Sequence, residues 1–137
     1  MDNNQPKKIL VVDDEPDILT LITARLEQKG YLVIAASDGL EGFEKAEKNR
    51  PDLILVDISM PRMNGFQMIE LLHQYDTLSG IPVVVITASR QKDEEAWCKQ
   101  AGIAQFILKP FEAEELLEKI RKALYSPPPR EKSGRAS

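Results

Sequence analysis

Several residue types that would define a function are scarce in this sequence. It has one cysteine, Cys98, and one histidine among 137 residues, which excludes an internal disulfide and a metal site built from Cys and His ligands. Lys and Arg number 18 against 22 Asp and Glu, so the chain lacks the basic surplus that binding to a nucleic acid backbone needs. No apolar run is long enough to span a membrane, and Ile9–Val12 is too short for a signal sequence. We therefore expect a cytoplasmic protein that binds neither membranes nor nucleic acids directly.

The composition that remains is typical of one globular domain. Apolar residues make up 42% of the chain and charged residues 29%, which suits a domain with its own hydrophobic core. Residues 1–125 carry a net charge of −6, whereas residues 126–137 carry +2 and include three consecutive prolines. Such a segment is typical of an extended linker. We expect a disordered N-terminus over 1–6, a domain over 7–125 and a Pro-rich basic tail or linker over 126–137.

Short β-branched runs alternate with longer segments of helical spacing along the domain. Five runs are predicted to be strands: Ile9–Val12, Leu32–Ala36, Leu53–Val56, Val83–Ile86 and Ile103–Leu108. They are nearly continuous in apolar residues, which is typical of parallel strands covered by helices on both faces. Five βα units of this length predict an α/β fold, with a doubly wound five-stranded parallel sheet in a three-layer sandwich.

Helix boundary signals support the intervening helices. Asp38 with Glu41 three residues later is the pattern of a capping box. Gly30 and Gly102 stand where helices are expected to end. The segment Gln91–Ala101 has the weakest apolar stripe, so we expect the helix there to pack lightly.

Polar side chains gather at the carboxyl ends of the predicted strands. Strand one runs into Asp13 and Asp14, strand three into Asp57, strand four into Thr87 and strand five into Lys109. In a doubly wound sheet these ends form the edge where ligands bind. Three carboxylates and one lysine leave a local charge of −2, which a hard divalent cation neutralises, and oxygen ligands favour Mg²⁺. A metal, a carboxylate nucleophile, a lysine and a hydroxyl make a phosphoryl-accepting site, with Asp57 as the acceptor.

These residues form a pattern that resembles the receiver domain of bacterial two-component response regulators, of which the chemotaxis regulator is the simplest member. The resemblance covers about residues 7–125 and rests on motifs at four strand ends: Asp13-Asp14, Asp57 followed by Met60-Pro61 and Gly65, Thr87-Ala88, and Lys109-Pro110. It implies a flavodoxin-like strand order of 2-1-3-4-5. It also implies a cis peptide bond before the proline of the last motif.

The resemblance implies a chemical role for each residue of the site. Asp57 is expected to accept a phosphoryl group from a sensor histidine kinase or a phosphotransfer protein. Lys109 is expected to pair with the phosphoryl oxygens. Mg²⁺ is expected to bind Asp14, Asp57 and the backbone carbonyl of Ser59, with Asp13 acting largely through water.

A conformational switch and a signalling surface are also implied. Thr87 is expected to move towards the phosphoryl group while Phe106 rotates inward, and Ser59 and Ser89 occupy positions that tune the phosphoryl lifetime in the family. Many members have tyrosine where this chain has Phe106, so the rotation here depends on packing alone. The fourth predicted helix, the fifth strand and the last helix are expected to form the surface that a partner reads.

Two organisations of the whole protein stay open at this point. A stand-alone regulator would dock on another protein, whereas a receiver joined to an output domain would use residues 126–137 as its linker, which their composition favours. Homodimerisation driven by phosphorylation is also open.

The alternative function is a Mg²⁺-dependent phosphohydrolase that works through an aspartyl-phosphate. Enzymes of the haloacid dehalogenase type need a second aspartate two residues after the nucleophile, where this chain has Ser59. A cap domain does not fit in 137 residues. We therefore predict a signalling domain that catalyses only its own phosphorylation and dephosphorylation. A third possibility, an unphosphorylated scaffold, is weakened because every residue that the chemistry needs is present.

Overall fold

Five parallel strands form the centre of the domain. The computed structural model describes residues 5–58, 64–88 and 92–125, and the side chains of all of these but 92–94. The strands are β1 (Lys8–Val12), β2 (Leu32–Ala36), β3 (Leu53–Asp57), β4 (Val83–Thr87) and β5 (Gln105–Leu108). Their order in the sheet is β2-β1-β3-β4-β5, which confirms the expected order. β5 begins two residues later than predicted, because the N–H of Ile103 still bonds to the carbonyl of Cys98 in the preceding helix, at 3.0 Å.

Helices follow the strands, as the alternating sequence pattern predicts. They are α1 (Pro16–Gln28), α2 (Gly39–Asn49), α3 (Gly65–His73), α4 (Asp76–Ser79), α5 (Lys92–Gln100) and α6 (Ala113–Tyr125). The single turn α4 was not predicted. Gly30 and Gly102 follow α1 and α5 with φ of +90° and +77°, a backbone region where glycine carries no steric cost. Among the described helices, none combines the length and the apolar character that a membrane crossing needs.

Two hydrophobic layers enclose the sheet. Along β1, Leu10 and Val12 belong to the layer beneath α2, α3 and α5, whereas Ile9 and Val11 belong to the layer beneath α1 and α6. This alternation follows from the period of two along a strand. All five residues of β3 and of β4 are buried, because both of their faces are covered. The three-layer arrangement is therefore confirmed.

Only half of the capping box predicted for α2 is present. The Oδ1 atom of Asp38 accepts a hydrogen bond from the N–H of Glu41 at 2.8 Å. Glu41 does not reach back to Asp38, because its carboxylate accepts from the N–H of Ser37 at 2.8 Å. The reciprocal pattern occurs instead at α3, where Asn64 and Gln67 each accept from the other's N–H at 3.0 Å.

α5 packs lightly, as predicted. Among its described side chains Cys98 is buried, Trp97 is half-buried and the other four are exposed. Trp97 meets Phe66 of α3 edge to face, with ring centroids 4.5 Å apart. Among its described side chains, two adjacent residues therefore fix the helix to the core.

Candidate functional site

The sheet register brings the polar strand ends together. Val12, the last residue of β1, pairs with Val56 of β3, so Asp13 and Asp57 follow at the same level of two neighbouring strands. Thr87 ends β4 opposite Leu108 of β5. The backbone of Lys109 extends this pairing, because its N–H donates to the carbonyl of Thr87 at 2.8 Å. The predicted convergence of the strand ends is thus present.

Three carboxylates form the acidic centre of the site. Each of Asp13, Asp14 and Asp57 has a carboxylate oxygen within 4.8 Å of the others. Asp13 and Asp57 are 1% and 3% exposed, while Asp14 is more exposed. Buried carboxylates at this separation repel one another and lose hydration, so the cluster is costly unless cations neutralise it.

Lys109 supplies a positive charge inside the cluster. Its Nζ lies 2.9 Å from Oδ2 of Asp57, 3.0 Å from Oε1 of Glu15 and 3.9 Å from Oδ2 of Asp13. Burial lowers the pKa of this ammonium group, but its hydrogen bonds to Asp57 and Glu15 outweigh that effect and raise the pKa above its ordinary value. Lys109 is therefore charged at neutral pH. The Lys109–Pro110 peptide bond is cis, as the resemblance implied.

Asp13 is the site residue whose hydrogen bonding points most clearly to a bound cation. Its Oδ1 accepts from the N–H of Glu15 at 2.9 Å, whereas its buried Oδ2 has no hydrogen-bond partner among the described residues. Burial raises its pKa to about 6, although the Glu15 N–H and Lys109 act in the opposite direction. An orphaned carboxylate oxygen beside two other carboxylates fits a hard divalent cation such as Mg²⁺.

Glu15 is a site residue that sequence reasoning missed. It immediately follows the acidic pair and precedes Pro16, so its position suggests only a helix start. Its side chain does not cap α1 but reaches Lys109, which is 94 positions away in sequence. The adjacent acidic pair could have drawn attention to Glu15, but the sequence does not show in which direction its side chain points.

Thr87 and Phe106 lie on the same face of the sheet. Phe106 pairs with Val85, two residues before Thr87, so the two side chains stand roughly 7 Å apart along neighbouring strands. Thr87 is fully buried. Phe106 is half-buried and lines a cavity of about 450 Å³ between α5 and α6, together with Cys98 and Lys119. The structure places both residues beside the site, but it does not bring Phe106 into the acidic cluster.

Gly65 allows α3 to start directly beneath the acidic centre. A Cβ atom on this residue would lie 2.5 Å from Cα of Ile58 and 2.9 Å from the carbonyl oxygen of Asp57. Any side chain here would therefore displace the backbone that carries Asp57. Among the other predicted positions, Ser59, Met60, Pro61 and Ser89 lie outside the described residues.

Comparison with known proteins agrees with this geometry. The family model of the response regulator receiver domain matches residues 9–121. The chain belongs to the response regulator receiver domain family. This receiver domain is 38% identical to PilH of Pseudomonas aeruginosa over 117 residues, which span 85% of this chain and 97% of PilH. It is 37% identical to PhoP of Bacillus subtilis, a transcriptional regulatory protein, over 86% of this chain and 48% of PhoP.

A solved receiver structure extends the likeness to the site. The receiver domain of sensor histidine kinase PA1611 from Pseudomonas aeruginosa PAO1 superposes with a TM-score of 0.81 and 30% identity, covering 88% of this chain and 99% of that one. That structure has a magnesium ion coordinated in its active site cleft.

Membership of the family decides between the two predicted functions. Receiver domains are signalling modules that bind Mg²⁺ in an acidic pocket and interact with histidine kinases or phosphotransfer proteins and with downstream effectors. The cluster of Asp13, Asp14 and Asp57 fits such a phosphorylation site. The phosphohydrolase is therefore not favoured.

Proposed function

We propose that Asp57 of this receiver domain accepts a phosphoryl group from the phosphohistidine of a sensor histidine kinase or phosphotransfer protein. The observation that carries the proposal is the pairing of Asp57 Oδ2 with Lys109 Nζ at 2.9 Å, inside a cluster of three carboxylates. Asp57 ends a central strand, so its carboxylate is fixed at the ligand-binding edge of the sheet. Catalysis by the domain is limited to the gain and loss of its own phosphoryl group.

The transfer needs positioning and charge neutralisation more than covalent assistance. A carboxylate oxygen of Asp57 forms a bond to phosphorus while the N–P bond of the donor breaks, and the electron pair of that bond returns to the imidazole nitrogen. Lys109 pairs with the phosphoryl oxygens, because its ammonium already lies beside the acceptor atom. Thr87 offers a hydroxyl at the end of the next strand.

Asp13, Asp14 and Asp57 are the residues proposed to hold Mg²⁺, and the backbone carbonyl of Ser59 is a fourth ligand proposed from the family pattern. The buried Oδ2 atom of Asp13, which has no hydrogen-bond partner in the described part of the chain, supports this assignment. When bound, the ion neutralises the charge on the transferred phosphoryl group and on the carboxylates around it.

We also propose that phosphorylation is read at the surface of α5, β5 and α6. Thr87 and Phe106 are its switch residues, supported by their shared face of the sheet and by the contact of Phe106 with the cavity between the two helices. Because Phe106 has no hydroxyl, packing alone stabilises either orientation of its ring. Ser59 and Ser89 are proposed to set the phosphoryl lifetime.

The domain organisation is part of the proposal. We assign residues 7–125 to the receiver domain and 126–137 to a Pro-rich tail or linker. The predictions for the N-terminus and for the segment 126–137 fall largely outside the described residues. The relatives of this chain differ in length, since it spans nearly all of PilH but about half of PhoP. The proposed downstream partner is either a separate protein or an attached output domain. A phosphorylation-dependent homodimer is compatible with both. The proposed location is the cytoplasm.

Intact mass spectrometry with acetyl phosphate as donor tests the acceptor. The wild type is expected to gain one phosphoryl group only when Mg²⁺ is present, and Asp57→Asn is expected to gain none. Asp52→Asn, which changes an exposed aspartate just before β3, is the matched control and should be phosphorylated normally. Uptake by Asp57→Asn, or uptake by the wild type in EDTA, would contradict the proposed site.

A further inference from the structure

Glu15 makes three hydrogen bonds, and two of them are with residues of the site. Its N–H donates to Oδ1 of Asp13 at 2.9 Å, and its carbonyl accepts from the N–H of Leu19 at 3.0 Å, which starts α1. Its carboxylate accepts from Lys109 at 3.0 Å. One residue therefore joins the acidic cluster, the first turn of a helix and the lysine of the site.

The two partners of Lys109 differ in how tightly the fold holds them. The side chain of Asp57 is 3% exposed, whereas that of Glu15 is 58% exposed. An exposed carboxylate keeps most of its hydration, so its ion pair contributes little and breaks at small cost. Glu15 is therefore the partner that Lys109 can release.

An incoming phosphoryl group competes with Glu15 for the N–H donors of Lys109. An ammonium group has three N–H donors, and Asp57 and Glu15 already take two of them. Glu15 also adds a fourth carboxylate to the charges that a dianionic donor approaches. Both effects oppose arrival of the phosphoryl group and neither is needed to orient Lys109, which Asp57 holds at 2.9 Å.

We propose that Glu15 is a positioning residue that competes with the phosphoryl group for the ammonium of Lys109 and thereby slows phosphorylation of Asp57. The inference rests on the proposed function. The inference adds a residue that is neither the phosphoryl acceptor nor a proposed metal ligand. The carboxylate of this residue biases the domain towards the unphosphorylated state.

The rate of phosphorylation by acetyl phosphate in the presence of Mg²⁺ tests the inference. Glu15→Gln keeps the size of the side chain and removes its charge. We expect this variant to accept the phosphoryl group about two- to fivefold faster at low ionic strength, as for loss of an exposed ion pair. The gain should shrink in 0.5 M salt, since salt screens exposed charges. Glu112→Gln, an exposed glutamate beyond the end of β5, is the control and should match the wild type.

A double-mutant cycle gives a readout that does not depend on phosphorylation. The free energy of unfolding is measured in EDTA for the wild type, Glu15→Gln, Lys109→Met and the double variant. We expect the two substitutions to be non-additive, because the residues are in contact. Additive effects would show that Glu15 contributes no energy to holding Lys109 and would overturn the inference.

The outcomes separate this inference from the proposed function. If the wild type takes up no phosphoryl group, the proposed function fails, and the inference fails with it. If the wild type is phosphorylated but Glu15→Gln is equal or slower, the competition is refuted while the acceptor assignment stands. Equal acceleration of Glu15→Gln and Glu112→Gln would also refute it, because the cause would then be overall charge.

Discussion

Replacing Asp13 by asparagine should stabilise the metal-free domain. The side chain is 1% exposed, and burial raises its pKa from an ordinary 3.8 to about 6. At about 1.4 kcal/mol for each pKa unit, keeping this carboxylate charged costs the fold about 3 kcal/mol. Asparagine removes the charge and retains the oxygen that accepts from the N–H of Glu15. We expect Asp13→Asn to raise the free energy of unfolding at pH 8 by about 1–3 kcal/mol.

The pH dependence of this gain has a definite sign. Folded Asp13 binds its proton more tightly than unfolded Asp13, so its contribution to stability is greatest below 3.8 and falls as the pH rises to about 6. Asparagine does not titrate. The difference between Asp13→Asn and the wild type is therefore expected to be small at pH 4 and largest at pH 8.

Magnesium should offset the stability advantage of Asp13→Asn over the wild type. Mg²⁺ at one hundred times its dissociation constant stabilises a protein that binds it only when folded by about 2.7 kcal/mol. The wild type is expected to gain this amount, whereas Asp13→Asn loses one of its three clustered carboxylates and should gain much less. Urea unfolding followed by far-ultraviolet circular dichroism, in EDTA and in saturating Mg²⁺, measures both effects.

Asp17→Asn is the control, because it removes an exposed carboxylate from the first turn of α1. It should not be stabilised at pH 8, since loss of a negative charge near a helix N-terminus is mildly unfavourable. The reasoning is refuted if Asp13→Asn is no more stable than the wild type in EDTA. If Mg²⁺ stabilises the wild type and Asp13→Asn equally, Asp13 is not a ligand of the metal.

Two further substitutions test how the fold supports the site, each by urea unfolding. Gly65→Ala should destabilise the domain by about 1–3 kcal/mol, because its Cβ would meet the backbone of Ile58 at 2.5 Å. Gly42→Ala should lower the free energy of unfolding by less, since the close neighbours of Gly42 are side chains that can move. If both variants are destabilised equally, the backbone near Gly65 shifts without strain. Asp38→Ala should lower the free energy of unfolding by about 1 kcal/mol, because α2 loses the capping hydrogen bond that Asp38 accepts from the N–H of Glu41. An unchanged urea midpoint would show that water replaces this hydrogen bond.

Much of the fold was predictable because the strands are nearly continuous apolar runs, and β3 and β4 are buried on both faces. β2 begins and ends at the predicted residues, Leu32 and Ala36, since Gly30 lies just before the run and Ser37 follows it. The turn α4 was not predictable, because its N-cap Tyr75 makes no side-chain capping bond and four residues are too few to show a period. The strand order came from the family resemblance, as apolar runs alone do not determine which strands are neighbours.

The site was predictable to the extent that strand ends determine it. A residue directly after a parallel strand lies at the ligand-binding edge whatever its side chain does, and Asp13, Asp57 and Lys109 all lie there. The contact of Glu15 with Lys109 depends on side-chain direction across several strands, which no local pattern records. Ser59 and Ser89 stay predictions, because they lie outside the described residues.

The distribution of buried polar groups explains why ligands should control this domain. Among the described residues four polar or charged side chains are buried: Asp13, Asp38, Asp57 and Thr87. Asp38 caps a helix, and the other three belong to the site. The rest of the interior is apolar, so the unfavourable burial is concentrated where a cation and a phosphoryl group are proposed to bind. A ligand shifts a conformational equilibrium only through contacts that differ between the two states. The clustered carboxylates of Asp13, Asp14 and Asp57 offer such differences, because a cation or a phosphoryl group changes the charge around them. The strand ends, rather than the core, are therefore where phosphorylation can change the shape of the domain.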